Sequence, residues 1–586
     1  MWILPVRGRH PSVCLLICVL VLVFSSGTDA AVPQTPKRPV SDVYHGTTVV
    51  DEYRWLEDAA NPEVKEWTRE QRGYGRGLLD AVPERPALVE RLRKLYLGAS
   101  TSYHSLQANG GLLFALKRQP PAQQLILVTL KSADDPGSEQ TILDPNKLDP
   151  KGLTSINLYW PSPDGKLVAV SLTEGGSEEG TLFIYDVARG ARKSDQIPRV
   201  AFATAGGSLA WKADSSGFYY TRYPRTGERP EADLNFYQQV YYHRLGSDEN
   251  SDTYVIGKEF PRIAEIALQM LPADRGLIVS YQLGDGGNFA HFLVAPDGSS
   301  KQLAGLEDGV KFIAIAPNGD LYLFSRQNAP RGKILRLKSG ESDLAKASLV
   351  VPESQAVVSG YDTHTLEIQA TFYATRDNLY ITDIIGGPSQ LRDFDLDGHF
   401  KRFVPAEAVS TISQVVPFFD DEILFHAVSY LQPGAWFLYN AASGKATRTA
   451  LAEKSPMNFD DCELVRESAS SRDGTKVPLS IIRRKGTKLD GKNPTLLSGY
   501  GGYGIVISPA YLTPKFRLWL DHGGVFCMAN LRGGGEFGEE WHQAGNLTRK
   551  QNVFDDFSAC AEFLIKSGYT DPKKLAIEGG SNGGLL

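Results

Sequence analysis

The sequence contains few cysteines and few methionines, and its cysteines show no paired spacing. Four Met and five Cys stand among 586 residues. Beyond residue 30 only Cys462, Cys527 and Cys560 remain, an odd number at distant positions. This pattern argues against a disulfide framework and against a cysteine-bound metal, and it is typical of thiols buried as small apolar side chains. The sequence therefore predicts no metal site.

The chain also lacks a strong excess of charge of either sign. Its 62 Lys and Arg against 68 Asp and Glu give a formal net charge of -6, without a block of basic residues. We therefore expect no nucleic acid as a partner. No glycine-rich loop has the spacing that cradles a phosphate, so the sequence predicts no nucleotide and no other cofactor.

The longest apolar run lies within the first 30 residues. Arg7, Arg9 and His10 precede this run, which covers residues 13–24, and small residues follow up to Ala30. This order is that of a secretory signal peptide, and the run is too short to span a bilayer comfortably. We expect cleavage after Ala30, export of the mature chain to the periplasm or out of the cell, and no stable membrane association afterwards.

Glycine and aromatic residues are abundant, with 57 Gly, 25 Tyr and 26 Phe. They indicate a strand-rich protein with many tight turns, and the length of the chain requires more than one hydrophobic core. The first part of the mature chain has a different sequence pattern. Residues 31–100 are predicted to be helical, with helices over 64–79 and 84–95.

Residues 101–452 contain a recurring unit of short strands. Each unit has a turn with small or acidic residues, an apolar or aromatic strand, a polar loop and a second strand. Its starts are spaced by about 40 to 60 residues, the length of one four-stranded propeller blade. Two unrelated β-sandwiches are the alternative, but they would not readily give this period. The pattern predicts a seven-bladed β-propeller, with unit starts at 111–116, 165–170, 217–221, 276–280, 319–324, 377–382 and 421–425.

The sequence pattern changes again over residues 453–586. A strand is predicted at 476–483, and the apolar runs at 494–498 and 524–529 are typical of parallel strands covered on both faces. A helix is predicted over 554–566, and a short strand follows before Gly579. This alternation indicates an α/β domain.

Gly579-Gly-Ser-Asn-Gly583 has the pattern Gly-x-Ser-x-Gly of a nucleophile elbow. Ser581 would sit on a strained turn between strand and helix, where a Cβ at Gly579 or Gly583 would crowd the backbone. Glycine is common in this chain, so a glycine-rich turn without catalytic function is an alternative interpretation of the motif alone.

Several further motifs, in order along the chain, make the sequence similar to the prolyl oligopeptidases. The similarity covers essentially all of the chain after residue 30. It implies a seven-bladed β-propeller inserted into an α/β-hydrolase domain, with residues 31–97 packed back on residues 453–586. The motifs are 53–58 (YRWLED), 143–146 (LDPN), 241–246 (YYHRLG), 490–495 (DGKNPT), 499–503 (GYGGY), 530–538 (NLRGGGEFG) with 541–542 (WH), 552–557 (NVFDDF) and 579–584 (GGSNGG).

The resemblance implies roles for four residues. Ser581 matches the nucleophile, and Asn582 matches the residue whose backbone N–H points at the oxyanion. Tyr500 matches the tyrosine whose hydroxyl is the second oxyanion donor. Tyr503 matches an aromatic position of the proline pocket, where the family more often has Phe, although a purely packing role is an alternative. Two other matching residues, Arg532 and Glu536, are expected to form a structural ion pair.

The order of catalytic residues in α/β-hydrolases is Ser, acid, His, yet only Asn-Gly-Gly-Leu-Leu follows Ser581. The nearest histidines, His522 and His542, fall at positions that the family does not use for catalysis. We therefore expect an α/β-hydrolase domain that is incomplete at its C-terminus, and a 586-residue chain that is inactive by itself, with the function belonging to a complete enzyme.

The function implied by the resemblance is that of a monomeric serine endopeptidase. It would cleave short peptides after proline, with the propeller limiting the size of the substrate. Two alternatives stay open from the sequence. One is an oligopeptidase that cleaves after basic residues, and the other is a propeller-based binding module without catalysis.

Overall fold

The computed structural model describes residues 32–98, 100–203, 205–284, 287–359, 372–418 and 421–586. The signal peptide expected at residues 1–30 lies outside the described residues. The chain divides into two compact units, Met1–Arg91 and Leu92–Leu586.

The first unit contains a β-hairpin and a helix. Strands β1 (Val40–Tyr44) and β2 (Thr47–Asp51) pair antiparallel around His45 and Gly46, whose φ angles are 50° and 81°. Two consecutive positive φ angles are the mark of a tight hairpin turn, and this hairpin differs from the helical prediction for residues 31–100. Helix α1 (Pro62–Asp80) is capped at its N-terminus by Asn61, whose side chain accepts a hydrogen bond of 2.9 Å from the Glu63 N–H.

Helix α2 (Arg85–Leu97) runs from the end of the first unit into the second. The helices expected over 64–79 and 84–95 are thus both present. Helix α1 begins two residues earlier than predicted, at Pro62, because proline fits the first helical position, where a backbone N–H needs no partner within the helix. Helix α2 begins one residue later and ends two residues later than predicted.

Seven antiparallel sheets follow, and in each the strands pair mainly in chain order. A short helix, α3 (Pro145–Leu148), separates the first two. The first four sheets contain β3 (Ser102–Asn109), β4 (Leu112–Arg118), β5 (Ile126–Leu130) and β6 (Gln140–Leu143); β7 (Thr154–Pro161), β8 (Leu167–Glu174), β9 (Gly180–Asp186) and β10 (Ala191–Ala201); β11 (Leu209–Trp211), β12 (Gly217–Arg222), β13 (Gln239–Arg244) and β14 (Thr253–Ile256); and β15 (Ala264–Met270), β16 (Leu277–Leu283), β17 (Phe289–Val294) and β18 (Ser300–Ala304).

The last three sheets have the same plan, except that the inner strand of the sixth is in two pieces. Both β23 and β24 pair with β25, on either side of residues outside the described part. The strands are β19 (Val310–Ile315), β20 (Leu321–Ser325), β21 (Lys333–Leu337) and β22 (Ser348–Val351); β23 (Val357–Val358), β24 (Phe372–Ala374), β25 (Asn378–Ile384), β26 (Ser389–Asp395) and β27 (Phe400–Phe403); and β28 (Ser410–Pro417), β29 (Ile423–Ser429), β30 (Ala435–Asn440) and β31 (Lys445–Arg448).

Apolar clusters between adjacent sheets join these seven blades into a β-propeller. Each cluster combines side chains of two neighbouring blades, for example Phe114 with Val168 and Phe324 with Phe372. Burying such a side chain contributes about 1.5–3 kcal/mol, so the ring is stabilised at every junction. The predicted seven-bladed β-propeller is confirmed.

Side chains of the seventh blade close the ring onto the first. Gln414 accepts a hydrogen bond from the Leu106 N–H at 3.2 Å and donates one of 2.8 Å to the Leu106 carbonyl. The Trp436 indole N–H donates to the Tyr103 carbonyl at 2.9 Å. Both blades consist of their own consecutive strands, so closure depends on these side chains and on the apolar cluster around them.

The remaining residues form a five-stranded α/β sheet in the order β32-β33-β35-β34-β36. The last three positions in this order, β35, β34 and β36, are parallel, whereas β32 and β33 are antiparallel to their neighbours. The elements are β32 (Cys462–Ser470), β33 (Lys476–Arg484), β34 (Thr495–Gly499), β35 (Val525–Ala529) and β36 (Leu575–Glu578), with helices α4 (Pro514–Asp521), α5 (Glu539–Gln543), α6 (Gln551–Lys566) and α7 (Asn582–Leu585).

Helix α6 covers one face of this sheet. Its side chains Val553, Cys560 and Leu564 are fully buried in one apolar cluster with Leu497 of β34 and Cys527 of β35. This is the arrangement of an α/β-hydrolase domain, as predicted. Among the described helices, none is both long enough and apolar enough to cross a membrane.

The propeller contacts the loops at one end of the α/β sheet. The Gly386 N–H of the sixth blade donates to the Glu536 carbonyl at 3.2 Å, and Arg466 donates to the Gly386 carbonyl at 2.7 Å. In the fifth blade, the Pro330 carbonyl accepts from the Glu539 N–H at 3.1 Å. These bonds hold the propeller against the loop that connects β35 to α5.

Candidate active site

The serine of the predicted elbow lies between strand β36 and helix α7. Ser581 has φ 53° and ψ -123°, a strained conformation for a residue with a side chain, and it is exposed to solvent. Such strain at the tip of a parallel strand is the backbone signature of a nucleophile elbow. The geometry therefore favours the elbow over an ordinary glycine-rich turn.

The glycines on either side of Ser581 are required by close backbone contacts. A Cβ at Gly583 would lie 2.6 Å from the Gly499 carbonyl oxygen, and a Cβ at Gly579 would overlap the Gly583 carbonyl. Real Cβ atoms do not approach backbone this closely. The crowding expected from the sequence is present at both positions.

Tyr500 lies in the turn that follows β34, next to the elbow. The Asn582 side-chain amide donates to the Tyr500 carbonyl, and a Cβ at Gly583 would lie 3.7 Å from the Tyr500 Cα. The sheet brings the two together because β34 and β36 are parallel neighbours that end at the same edge. Two sites about 80 residues apart in sequence thus meet at the carboxyl ends of adjacent strands.

The groups expected to stabilise an oxyanion are without acceptors. Neither the Asn582 backbone N–H nor the Tyr500 hydroxyl forms a hydrogen bond with another described residue. Asn582 is the first residue of α7, where the N–H has no partner within the helix. An anionic oxygen beside Ser581 could therefore use these donors without breaking existing bonds.

Tyr503 belongs to the same turn and points away from the protein. Its side chain is 61% exposed, and its φ is 56°. The described residues therefore leave most of this side chain uncovered. Tyr503 is available for contact with a ligand.

Lys550 is a residue at this site that the sequence analysis did not single out. Its ammonium donates to the Gly501 carbonyl at 2.8 Å and to the Asn582 Oδ1 at 3.0 Å. Burial lowers its pKa. No spacing rule relates a lysine before a helix to a turn 49 residues earlier, so the sequence offered no signal for it.

The ion pair expected between Arg532 and Glu536 is not formed. Arg532 instead binds Asp556 with two nitrogens, at 3.0 and 2.6 Å, and also pairs with Asp473, whose pKa it lowers to about 2. The prediction of that partner was wrong because two carboxylates from other parts of the chain occupy the Arg532 guanidinium. Arg532 has a structural ion-pair role, as expected, but through other carboxylates.

Glu536 is buried beneath the same loop without a cationic partner. One carboxylate oxygen accepts from the Ile507 N–H at 3.0 Å and from Asn530 at 3.2 Å. The other oxygen has no partner among the described residues, and burial raises the pKa of this carboxyl to about 7. Glu536 is therefore protonated over much of the acidic pH range.

The two nearest histidines are bonded elsewhere. His522 contacts the Leu518 carbonyl at 2.8 Å, and His542 contacts Glu539 at 3.1 Å. Within the described part of the chain, no histidine or carboxylate forms a hydrogen bond with Ser581. No group of three or more His, Cys, Asp or Glu side chains in that part could hold a metal ion.

Comparisons with known proteins agree with this geometry. The family model described as prolyl oligopeptidase, N-terminal beta-propeller domain, matches residues 33–451, and the model of the prolyl oligopeptidase family matches residues 511–586. A prolyl endopeptidase of Elizabethkingia meningoseptica is 30% identical over 570 residues, which are 94% of this chain and 76% of that protein. A dual function macrocyclase-peptidase of Galerina marginata is 28% identical, with 94% and 78% covered.

Solved structures are similar as well. A prolyl endopeptidase structure has a TM-score of 0.83 at 30% identity, covering 94% of this chain and 79% of that chain. A prolyl oligopeptidase B from Galerina marginata, bound to a 35mer substrate, has a TM-score of 0.82 at 24% identity, with 95% and 79% covered. The second similarity supports the fold alone.

Proposed function

The chain belongs to the prolyl oligopeptidase family, and from this premise we propose a serine endopeptidase that hydrolyses short peptides on the carboxyl side of proline. The observation that carries the proposal is the strained Ser581 next to the unoccupied Asn582 N–H and to the turn of Tyr500, whose hydroxyl also has no partner among the described residues. Tyr503 would contact the proline ring through its exposed side chain.

In the first step the Ser581 oxygen would attack the carbonyl carbon of the prolyl residue. The serine proton passes to a general base, and the carbonyl oxygen becomes an oxyanion that accepts from Asn582 and Tyr500. Collapse of this intermediate breaks the peptide bond, the leaving amine takes the proton, and an acyl-enzyme remains. Water then releases the acyl group by the same route in reverse.

No described histidine or carboxylate bonds to Ser581, so the described contacts do not identify the general base or its acid partner. The relatives named above are matched over 76% and 78% of their own length. Without a base beside it, Ser581 would hydrolyse peptides only very slowly, since an unassisted serine hydroxyl is a weak nucleophile.

The propeller would limit the size of the substrate. Its fifth and sixth blades bind the loop that carries Glu536 and Glu539, and this loop lies against the turn of Tyr500 through a 2.9 Å bond from the Gly504 N–H to the Gly533 carbonyl. The active-site loops are therefore next to the propeller, which supports a filter that excludes folded proteins.

The experiment is an assay of protein produced from the complete reading frame on Gly-Pro and Arg-Arg reporter peptides, with S581A as the control. We expect release after proline by the wild type and none by S581A. Hydrolysis of only the Arg-Arg reporter would instead support the oligopeptidase that cleaves after basic residues.

A fluorophosphonate probe addresses the binding-module alternative. Rapid labelling of Ser581 in the complete protein supports an activated nucleophile. Equal, slow labelling of the complete protein and of a denatured sample would contradict the peptidase.

We also propose that the mature protein is exported, after cleavage behind Ala30, and acts as a monomer. The order of basic, apolar and small residues at the N-terminus supports export. N-terminal sequencing of protein from the periplasm or the medium tests the cleavage site, and light scattering of the same sample tests the monomer.

A further inference from the structure

Lys550 is a half-buried cation at the active site whose charge has no counter-ion. Both of its hydrogen bonds end on neutral oxygens, the Gly501 carbonyl and the Asn582 amide. Among the described residues, no carboxylate forms a salt bridge with its ammonium, and none contributes to its pKa. Burying a charge without a partner is costly, so a structural role in an ion pair does not account for this lysine.

The backbone of Lys550 is fixed by the helix that it precedes. Helix α6 starts at the next residue and is anchored in the core by Val553 and Phe557. The same helix supports the turn from below, because a Cβ at Gly499 would lie 3.2 Å from the Phe557 ring and one at Gly501 would overlap Val553. The ammonium is thus held at a defined distance from the turn.

The bonds of Lys550 decide how the Asn582 amide is oriented. A cation can bond only to the amide oxygen, which leaves the amide nitrogen to donate to the Tyr500 carbonyl. The amide lies flat on Gly502, where a Cβ would come within 2.6 Å of it. One side chain therefore connects the residue after the nucleophile to the turn that carries Tyr500.

We propose that Lys550 is a positioning residue for the oxyanion hole, acting through the Asn582 side chain and the Gly501 carbonyl. Its charge-assisted bonds fix the separation between the Asn582 N–H and the Tyr500 hydroxyl, the two donors that must converge on one oxygen. This assignment rests on the proposed peptidase function for its catalytic consequence, whereas the connection itself is a property of the described chain.

The catalytic arm of the test compares K550M, K550R and K566M in protein from the complete reading frame. K566M is the matched control, because Lys566 is exposed at the far end of α6. We expect K550M to lower kcat by about 10- to 100-fold with KM changed less than threefold, K550R to recover part of the loss, and K566M to match the wild type. An unchanged kcat in K550M would overturn the proposal.

A double variant separates positioning through Asn582 from an independent effect. N582A keeps the backbone N–H but removes the amide, so the loss in K550M/N582A should be smaller than the product of the two single losses. If the fold-reduction in kcat of K550M/N582A equals the product of the two single reductions, Lys550 does not act through the Asn582 side chain.

The structural arm uses hydrogen exchange of the 586-residue chain. Peptides that cover residues 499–505 should exchange at least threefold faster in K550M than in K566M, while peptides of β35 stay unchanged. If the wild-type protein hydrolyses neither reporter peptide, the proposed peptidase function is wrong. The exchange result would still decide whether Lys550 holds the turn. Equal exchange in both variants would overturn the proposal irrespective of activity.

Discussion

At the scale of single residues, the proposed active site depends on donors that are left free rather than on unusual side chains. Tyr500 and Asn582 each offer a hydrogen that no described neighbour accepts. Nearby, Glu536 is the reverse case, a buried acceptor oxygen without a donor. The buried oxygen of Glu536 costs stability, and each of the two arrangements has a consequence that can be measured.

Replacing Tyr500 by Phe removes one oxyanion donor and leaves the ring. We expect kcat of the complete protein on a Gly-Pro reporter to fall by about 100-fold or more, with little change in KM, because the hydroxyl acts on charge that develops in the transition state. Steady-state kinetics measure this. Y511F is the control, since Tyr511 lies in the same domain and its hydroxyl donates to the Met457 carbonyl. A fall in Y500F no larger than that in Y511F would remove Tyr500 from the oxyanion hole.

Glu536 should make the stability of the protein depend on pH. Burial raises its pKa to about 7 in the folded protein, against about 4.3 when unfolded, so the folded state binds the proton more tightly. The free energy of unfolding should therefore decrease as pH rises from about 4.5 to 7, by up to about 3 kcal/mol. E536Q removes this titration, and its Tm should exceed that of the wild type increasingly from pH 5 to pH 8.

The charge of Arg466 favours the ionised carboxylate of Glu536 and lowers its pKa, which limits the effect. E540Q is the control for E536Q, because Glu540 is exposed on the adjacent helix. A Tm difference for E536Q that is constant over the pH range would contradict a buried carboxyl that titrates near pH 7.

At the scale of elements, the strand endings of the α/β sheet decide the site. Strands β34 and β36 run parallel, so the turn after one and the elbow after the other lie side by side. The two strand endings lie so close together that the residues in contact, Gly499 and Gly583, have no room for a Cβ. The elbow conformation is thus produced jointly by the two strand endings.

Gly583→Ala should disturb this contact, because the new Cβ would lie 2.6 Å from the Gly499 carbonyl oxygen. We expect a loss of about 1–3 kcal/mol in the free energy of unfolding, the usual range for overpacking, and strongly reduced activity. Gly584→Ala is the matched control, since its Cβ would meet its nearest neighbour at 3.7 Å. Urea unfolding of both variants measures the difference. Equal stability of the two would argue against the backbone contact.

At the scale of the whole molecule, the propeller is closed by side chains and not by a shared strand. Gln414 satisfies both backbone groups of Leu106, and Trp436 donates to Tyr103, across the junction of the seventh and first blades. The chain itself crosses the other six junctions, so we expect the ring to open first at this one.

Gln414→Met should weaken that junction specifically. It leaves the buried Leu106 N–H and carbonyl without partners, at a cost of about 1–3 kcal/mol for each group. We expect a lower Tm and faster proteolysis within the first blade. Q123M, at an exposed position, should behave like the wild type. If limited proteolysis of Q414M begins elsewhere in the propeller, the junction is not the weakest point.

The sequence by itself determined the repeating unit of the propeller and the identity of the elbow. The seven predicted starts fall on the second strands of the seven blades, from β4 to β29. These strands have a paired strand on each side and bury both faces, so they carry the long apolar runs that a reader of the sequence notices. In several blades the first and fourth strands are shorter or more exposed than the second. Their apolar patterns in the sequence are weaker for that reason.

Only the tertiary structure decided which distant groups meet. The hairpin at His45 and Gly46 was missed because a short, exposed pair of strands carries little apolar pattern. The packing of loops from separate strands decides the partners of Arg532, the isolation of Glu536 and the bonds of Lys550. The local sequence does not indicate how these loops pack. Periodicity reports the burial of a strand's own residues, whereas the chemistry at the carboxyl ends of the sheet arises from neighbours that are far apart in the chain.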